Sequence, residues 1–146
     1  IARNHLHHEQ IGTVMDIYST ILDTSNSSSP SNHPVDGVSL LPQLSGKINK
    51  ERPDHFMCHF PHSHRSSYFT SFRKGDWKLI YRYLTSAGKR KSKQQLPKHE
   101  LYNLKNDPYE TNNLALGDDK KTKEMIGLMK RQLKEENALL PDKKIK

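Results

Sequence analysis

ELYNLKNDPYETNNLA, residues 100–115, is the stretch that decides the fold of its surroundings. In its first half, Leu101 and Asn103 alternate with their neighbours, which is the pattern of a half-buried β-strand. Asn106, Asp107 and Pro108 then favour a turn, because short polar side chains bond nearby backbone and proline cannot donate to a strand ladder. The stretch therefore predicts a strand, a sharp turn and the approach to a helix.

Three further strands are predicted before this stretch, at residues 55–60, 67–73 and 77–83, all rich in aromatic and branched side chains. Gly75 lies between the last two and supplies the positive φ that a tight hairpin needs. Residues 85–98 are rich in Lys, Ser and Gln, which indicates an exposed hairpin loop.

After the stretch, residues 120–137 carry apolar side chains on one side of a predicted helix. Asp118 and Asp119 are placed to cap its start, and Pro141 is expected to end it. Strands joined by short connections favour an antiparallel sheet. We therefore predict an α+β fold, with a four-stranded antiparallel sheet and a C-terminal helix packed on one face.

The N-terminal part has a different character. Residues 10–23 have helical spacing and a broad apolar face, which needs a large surface to bury it. Residues 24–34 are almost all Ser, Asn, Thr and Pro, as in a loop. A short apolar segment then stops at Gly46. The first helix is therefore expected to lack its packing partner unless a larger body lies upstream.

Composition excludes some classes of function. The chain has 146 residues, of which 32% are hydrophobic, and a net charge of +8. Cys58 is the only cysteine, so neither an intrachain disulfide nor a cysteine-based zinc cage can form. No apolar run approaches the about 20 residues that span a bilayer. The positive charge fits a solvated basic surface or attraction to a polyanion, either nucleic acid or a sulfated glycan.

Four segments in order resemble the sulfatases of the alkaline-phosphatase-like superfamily. They are MDIYSTILD at 15–23, DGVSLLP at 36–42, RKGDWKLI at 73–80 and the 100–115 stretch. The resemblance implies that residues 1–24 hold the terminal helix of an upstream catalytic domain. Residues 25–54 would then be a linker and connection, and residues 55–146 the sulfatase C-terminal domain.

The resemblance also implies where the chemistry lies. Sulfatases make a formylglycine from a C/S-x-P-x-R motif and hold calcium with carboxylates. Cys58 is followed by His-Phe-Pro, which puts the proline one place too late, and no serine fits. We therefore expect no catalytic residue, metal site or cofactor in this chain, and no activity of the chain alone. The parent enzyme would need calcium and formylglycine, and would hydrolyse sulfate esters on carbohydrates.

Partners follow from the same resemblance. They are the upstream catalytic domain of the same chain and a sulfated carbohydrate. We expect neither a nucleic acid nor a membrane as a partner. A homodimer through the exposed N-terminal helix is a further expectation. Relatives with sugar substrates are commonly exported, so the resemblance implies a periplasmic or secreted location.

The candidate substrate-binding residues are His59, His62, His64 and Arg65. They lie in MCHFPHSHR, residues 57–65, which resembles a segment that leads toward the active-site cleft in many sulfatases. Arginine and histidine suit a sulfated sugar, because they donate hydrogen bonds to its oxygens. Together with His55 these histidines also permit a zinc site, but a strand followed by a proline-broken loop need not bring them together.

The alternative function is a free-standing basic α+β module that binds nucleic acid or an anionic glycan. The strand aromatics could form a base-stacking platform, and the basic run at 89–93 could steer a polyanion. Against the platform, half of the alternating strand positions must be buried in any case. No RNA-binding motif built from aromatic residues and glycine is present either. The aromatics are therefore expected to form the core.

Overall fold

The computed structural model describes residues 10–61, 68–83 and 96–141. The chain divides into two compact units, residues 1–54 and residues 55–146. The elements, in chain order, are α1 (Asp16–Thr24), α2 (Leu41–Leu44), β1 (His55–Phe60), β2 (Phe69–Lys74), β3 (Trp77–Arg82), β4 (His99–Asn103) and α3 (Asp119–Glu135). Within the described ranges, no helix is long and apolar enough to cross a membrane.

The second unit contains a four-stranded antiparallel sheet in the order β1-β2-β3-β4. The pairing aligns Met57, Phe72, Leu79 and Leu101 in one row across all four strands. Since side chains alternate between faces, this row lies on a single face of the sheet. The predicted antiparallel sheet is confirmed.

The turn between β2 and β3 is as tight as the sequence predicts. Lys74 pairs with Trp77, so only Gly75 and Asp76 lie between the paired ends. Gly75 has a φ of 55°, a conformation that a residue with a Cβ adopts at a cost. This turn fixes the register of the hairpin.

The core of the second unit lies between the sheet and α3. Leu79 and Leu101 from the sheet are fully buried, and Met125 and Met129 from α3 are almost so. Phe72, Ala115 and Leu133 complete the buried cluster. The helix therefore covers one face of the sheet, which confirms the predicted α+β architecture.

Both ends of α3 lie within two residues of the predicted bounds, 120 and 137. Asp118 is the N-cap, and its side chain accepts a hydrogen bond from the amide of Lys121 at 2.9 Å. At the other end, Asn137 adopts a φ of 50° and the amide of Ala138 bonds the carbonyl of Leu133 at 2.9 Å. This is a Schellman ending with asparagine in the left-handed position. Asn137 therefore terminates the helix, before the chain reaches Pro141, the residue that was expected to end it.

In the first unit, α1 begins at Asp16 and not at residue 10 as predicted. The Asp16 carboxylate accepts hydrogen bonds from the amides of Thr13 at 2.6 Å and Val38 at 2.9 Å. The bond from Val38 ties the first residue of the helix to the segment before α2, and the bond from Thr13 closes the turn that precedes the helix. Periodicity alone cannot show this, because Val38 is distant in sequence.

A second difference is α2, a four-residue helix within the segment predicted only as apolar. Pro42 lies in its first turn, where a missing N–H costs nothing. Gly46 follows the helix with a φ of 78°.

The apolar face of α1 is exposed. Ile17 is 52% exposed and Ile21 is 60% exposed, and Val14, just before the helix, is 79% exposed. Burial of apolar side chains such as these is favourable, because it removes them from water. The face therefore has the character of a surface that packs against something else.

Candidate functional site

His59, the one candidate substrate residue that the structure describes, lies in β1 on the same face as Met57. Its Nδ1 lies 2.7 Å from Thr70 Oγ1, and its Nε2 lies 2.7 Å from the carbonyl oxygen of Leu139. A carbonyl oxygen can only accept, so Nε2 carries a proton. Both ring nitrogens are therefore engaged within the second unit.

The hydrogen bonds continue from His59 into the sheet. Thr70 is fully buried, and its hydroxyl lies 2.8 Å from the hydroxyl of Tyr83. When the imidazole is neutral, Tyr83 donates to Thr70 and Thr70 donates to Nδ1 of His59. Burial raises the pKa of Tyr83 and so keeps its hydroxyl protonated. The network joins β1, β2, the end of β3 and the tail after α3.

His62, His64 and Arg65 lie outside the described residues, as do residues 84–95 with the basic run at 89–93. The segment 62–67 connects β1 and β2, whose ends are paired at Phe60 and Phe69. Those two rings stack with centroids 5.9 Å apart. The segment with the predicted substrate residues therefore starts and ends at a firmly held pair of strands.

The described residues contain no group of three or more His, Cys, Asp or Glu side chains that could hold a metal ion. Cys58 is exposed and has no cysteine partner in the chain. The residues present in the described part therefore do not fit a calcium cage.

Polar side chains of the 100–115 stretch serve the fold. Glu100 accepts hydrogen bonds from Arg82 and from the hydroxyl of Tyr102, the latter at 2.5 Å. Burial, assisted by Glu100, raises the pKa of Tyr102 well above its usual value. Tyr102 and Leu101 are both buried, so β4 is covered on both faces here. The prediction of a half-buried strand is wrong at this point.

The turn of the same stretch is stabilised by Asp107. Its carboxylate accepts hydrogen bonds from the amide and hydroxyl of Thr111, at 3.0 and 2.9 Å, and from the amide of Asn112 at 2.9 Å. The two amides lower the pKa of Asp107. The carboxylate is committed to this loop and is not poised for proton transfer.

Asn113 joins the turn to the edge of the sheet. Its Oδ1 accepts from the amides of Leu101 and Ala115, each at 3.0 Å, and its Nδ2 donates to the carbonyl of His99 at 3.2 Å. The amide group replaces the missing neighbour strand of β4. No sequence pattern indicates this role beyond the preference of asparagine for turns.

A groove of about 450 Å³, which the sequence did not predict, opens beside this turn. It is lined by Trp77, Asn103, Asn106, Asp107, Thr111, Asn112 and Leu114. These side chains offer amides and an aromatic ring but no pair of acid and base groups. The groove therefore lacks the groups for hydrolysis.

The first unit contains a buried ion pair that the sequence did not predict. Arg52 Nη1 lies 2.8 Å from Asp16 Oδ2, and both side chains are about 95% buried. Arg52 also donates to the carbonyls of Ile11, Val38 and Ser39. A buried pair with this many bonds fixes the path of the chain and does not suggest catalysis.

A protein family model matches most of the chain. The model of the family described as N-sulphoglucosamine sulphohydrolase, C-terminal, matches residues 2–138. Among curated proteins, none matches the chain significantly.

Solved structures resemble the chain over most of its length. BT4656, solved in complex with its substrate D-glucosamine-2-N,6-O-disulfate, is 28% identical with a TM-score of 0.61, and the match covers 88% of this chain and 25% of that chain. BT1596, a 2-O GAG sulfatase, is 22% identical with a TM-score of 0.60, covering 82% and 24%. The phosphonate monoester hydrolase of Agrobacterium radiobacter is 22% identical with a TM-score of 0.51, covering 82% and 23%. The chain therefore spans about a quarter of the length of these structures.

Proposed function

The chain belongs to the N-sulphoglucosamine sulphohydrolase C-terminal family, and from this we propose that it completes an enzyme that hydrolyses sulfate esters on glycosaminoglycan-type carbohydrates. The match over residues 2–138 carries the proposal. The sugar class is supported by BT4656, since 28% identity over 88% of this chain exceeds what a shared fold alone requires.

The reactive groups of this enzyme are proposed to lie in a catalytic domain that precedes residue 1. The chain contains no C/S-x-P-x-R motif. The described residues offer no cluster of carboxylates for calcium. Sulfate ester hydrolysis needs an activated nucleophile and a charge-neutralising site beside it. The 146-residue chain by itself is therefore proposed to be inactive.

The segment from His59 to Arg65 is proposed to form part of the substrate pocket. Arg65 can donate two parallel hydrogen bonds to a sulfate group, and His62 and His64 can add further donors. His59 is proposed to anchor the segment, since both of its ring nitrogens are already bonded. In this proposal His62, His64 and Arg65 contact the sugar, whereas His59 stabilises the strand that leads to them.

The test is sulfate release from heparin-derived disaccharides by the enzyme with its catalytic domain, in the presence of calcium. Arg65→Ala is expected to lower kcat/KM at least tenfold, because a bidentate contact to a charged group contributes about 1.5–3 kcal/mol. Lys105→Ala, which removes an exposed charge elsewhere, is the matched control. Equal kcat/KM values for the two variants would remove Arg65 from the pocket.

Two further measurements test the broader proposal. A phosphonate monoester turned over faster than every sulfated sugar would reassign the enzyme to the chemistry of the Agrobacterium relative. Sulfate release by the 146-residue chain alone would contradict its proposed inactivity.

A further inference from the structure

The outward side of α3 carries a stripe of positive charge, which we call the α3 stripe. Its members are Lys120, Lys123, Lys130, Arg131 and Lys134, and all five are exposed. Their spacing of 3, 7, 1 and 3 residues places them on one side of the helix. With a rise of about 1.5 Å per residue, the stripe is about 21 Å long.

The cations of the α3 stripe are largely free of acidic partners. Lys123 pairs with Asp119 at 2.5 Å, and both side chains are more than 70% exposed. Within the described ranges, the other four members form no ion pair. Exposed single pairs of this kind are weak, so all five charges remain available to an external anion.

Helix stability explains only part of the stripe. Lys134 lies in the last turn, where a cation suits the helix dipole, whereas Lys130 and Arg131 lie before that turn. Lys120 lies in the first turn, where a cation is unfavourable. Gly127 lies mid-helix in the centre of the stripe, is exposed, and would meet nothing within 4 Å if it carried a Cβ.

Neither unfavourable choice has a packing reason among the described residues. Glycine disfavours a helix relative to alanine, and here a methyl group would fit freely. Local choices that lower stability without a gain in packing are expected at functional surfaces. A side chain of one hydrogen atom lets a ligand approach the helix backbone closely.

A further cation strengthens the C-terminal half of the stripe. Lys98 is exposed and directly precedes His99 at the start of β4. The pKa of His99 is lowered first by burial and then by Lys98 and Lys130. Lys98 and Lys130 therefore both contribute positive potential at His99. The positive potential of the stripe thus extends from α3 to the start of β4.

Resting on the proposed function, we propose that the α3 stripe is a binding surface for a sulfated polysaccharide, which lies along α3 and passes over Gly127. The five cations would bind the sulfate groups. The absence of a side chain at Gly127 would let the glycan backbone lie close to the helix. A nucleic acid fits less well, because α3 contains no aromatic side chain on which bases could stack.

The test measures binding of the 146-residue chain to heparin across a range of salt concentrations. A triple variant, Lys123→Gln, Lys130→Gln and Lys134→Gln, is expected to bind at least tenfold more weakly near physiological salt. The slope of log Kd against log salt should fall by about two. The control carries the same loss of charge at exposed sites elsewhere, Lys47→Gln, Lys50→Gln and Lys105→Gln, and should lose less than threefold. Equal losses in the two triple variants would overturn the proposal.

Gly127→Gln tests the close approach separately from charge. It adds a neutral helix-forming side chain, so Tm should rise while affinity for heparin falls at least threefold. A rise in Tm with unchanged affinity would overturn the passage over Gly127.

Three more outcomes identify the ligand class and separate the proposals. Binding of single-stranded DNA as tight as that of heparin at equal salt would overturn the sulfated-glycan assignment. If the triple variant of the stripe binds heparin as tightly as the natural chain, and the enzyme still releases sulfate, the proposed binding surface would be overturned while the proposed function would stand. Stripe-dependent binding by an enzyme that releases no sulfate from any sugar would support the stripe and overturn the proposed function.

Discussion

Thr70 shows how a small residue can hold several elements together. Its hydroxyl lies between Nδ1 of His59 and the hydroxyl of Tyr83, and the residue is fully buried. A hydroxyl can both donate and accept, so it satisfies both partners at once. A methyl group in its place would leave two partly buried polar groups, His59 Nδ1 and the Tyr83 hydroxyl, without this partner.

Thr70→Val is therefore expected to lower the free energy of unfolding by about 1–3 kcal/mol, although the side chain keeps its shape. Chemical denaturation followed by tryptophan fluorescence measures this, since Trp77 lies at the margin of the same core. Ser71→Ala on the opposite face of β2 is the control. Equal stability of the two variants would show that the network does not stabilise the sheet.

Asn113 makes the second prediction at this scale. Asn113→Ala removes the acceptor of the Leu101 and Ala115 amides, and should cost about 1–3 kcal/mol because Leu101 is buried. The neighbour Asn112 is exposed, and its side chain forms no hydrogen bond within the described ranges. Asn112→Ala should change stability by less than about 0.5 kcal/mol. A reversed order of the two melting temperatures would contradict the role of Asn113.

At the scale of elements, the second unit follows its local patterns closely. Strand alternation, the Gly75 turn and the capped helix all predicted the elements that the structure contains. These signals are local, because each depends on residues a few positions apart. The end of α3 was predicted at residue 137, close to where it lies, but the expectation assigned it to Pro141 and overlooked the left-handed Asn137.

The first unit and the candidate site were harder to predict for a physical reason. The start of α1 depends on bonds from Asp16 to residues 22 and 36 positions away. His59 could be chosen as a candidate from its segment, but its bond to Leu139 spans 80 positions. A sequence pattern shows which side chains are polar, whereas their partners are chosen by tertiary packing.

The bonds of Asp16 lead to a prediction about pH. Burial alone would raise the pKa of Asp16, but the amides of Val38 and Thr13 and the guanidinium of Arg52 outweigh it and lower the pKa. The carboxylate is thus favoured by folding. Its contribution to stability is complete above the unfolded pKa of about 3.9 and is lost as the pH falls through the lower folded pKa.

Hydrogen exchange at the amide of Val38, which donates to Asp16, measures this effect. Protection is expected to decrease below about pH 4 in the natural chain. Asp16→Asn should lower protection at neutral pH, because it leaves the buried Arg52 charge unpaired, and should remove the acid dependence. Asp119→Asn, at an exposed carboxylate, is the control and should leave both unchanged. Acid-dependent protection that survives in Asp16→Asn would assign the effect to another group.

At the scale of the whole molecule, the two units differ in how they bury apolar surface. The second unit has a closed core, whereas α1 exposes Ile17 and Ile21 on successive turns, next to the exposed Val14 that precedes the helix. Contiguous exposed apolar side chains usually mark an interaction surface. We propose that the catalytic domain of the enzyme covers this face, and that in the 146-residue chain a second copy covers it.

Sedimentation velocity over a range of concentrations tests this expectation. The 146-residue chain should form a dimer, and the double variant Ile17→Glu, Ile21→Glu should be a monomer, since two charges on each copy cannot be buried without partners. Leu116→Glu is the control, because Leu116 is 98% exposed but lies outside α1. A dimer that persists in the double variant, or that is lost equally in the control, would remove α1 as the contact. The catalytic domain and a second copy cannot cover α1 at the same time. A monomeric enzyme with its catalytic domain, together with a dimeric 146-residue chain, would therefore indicate that both partners use this face.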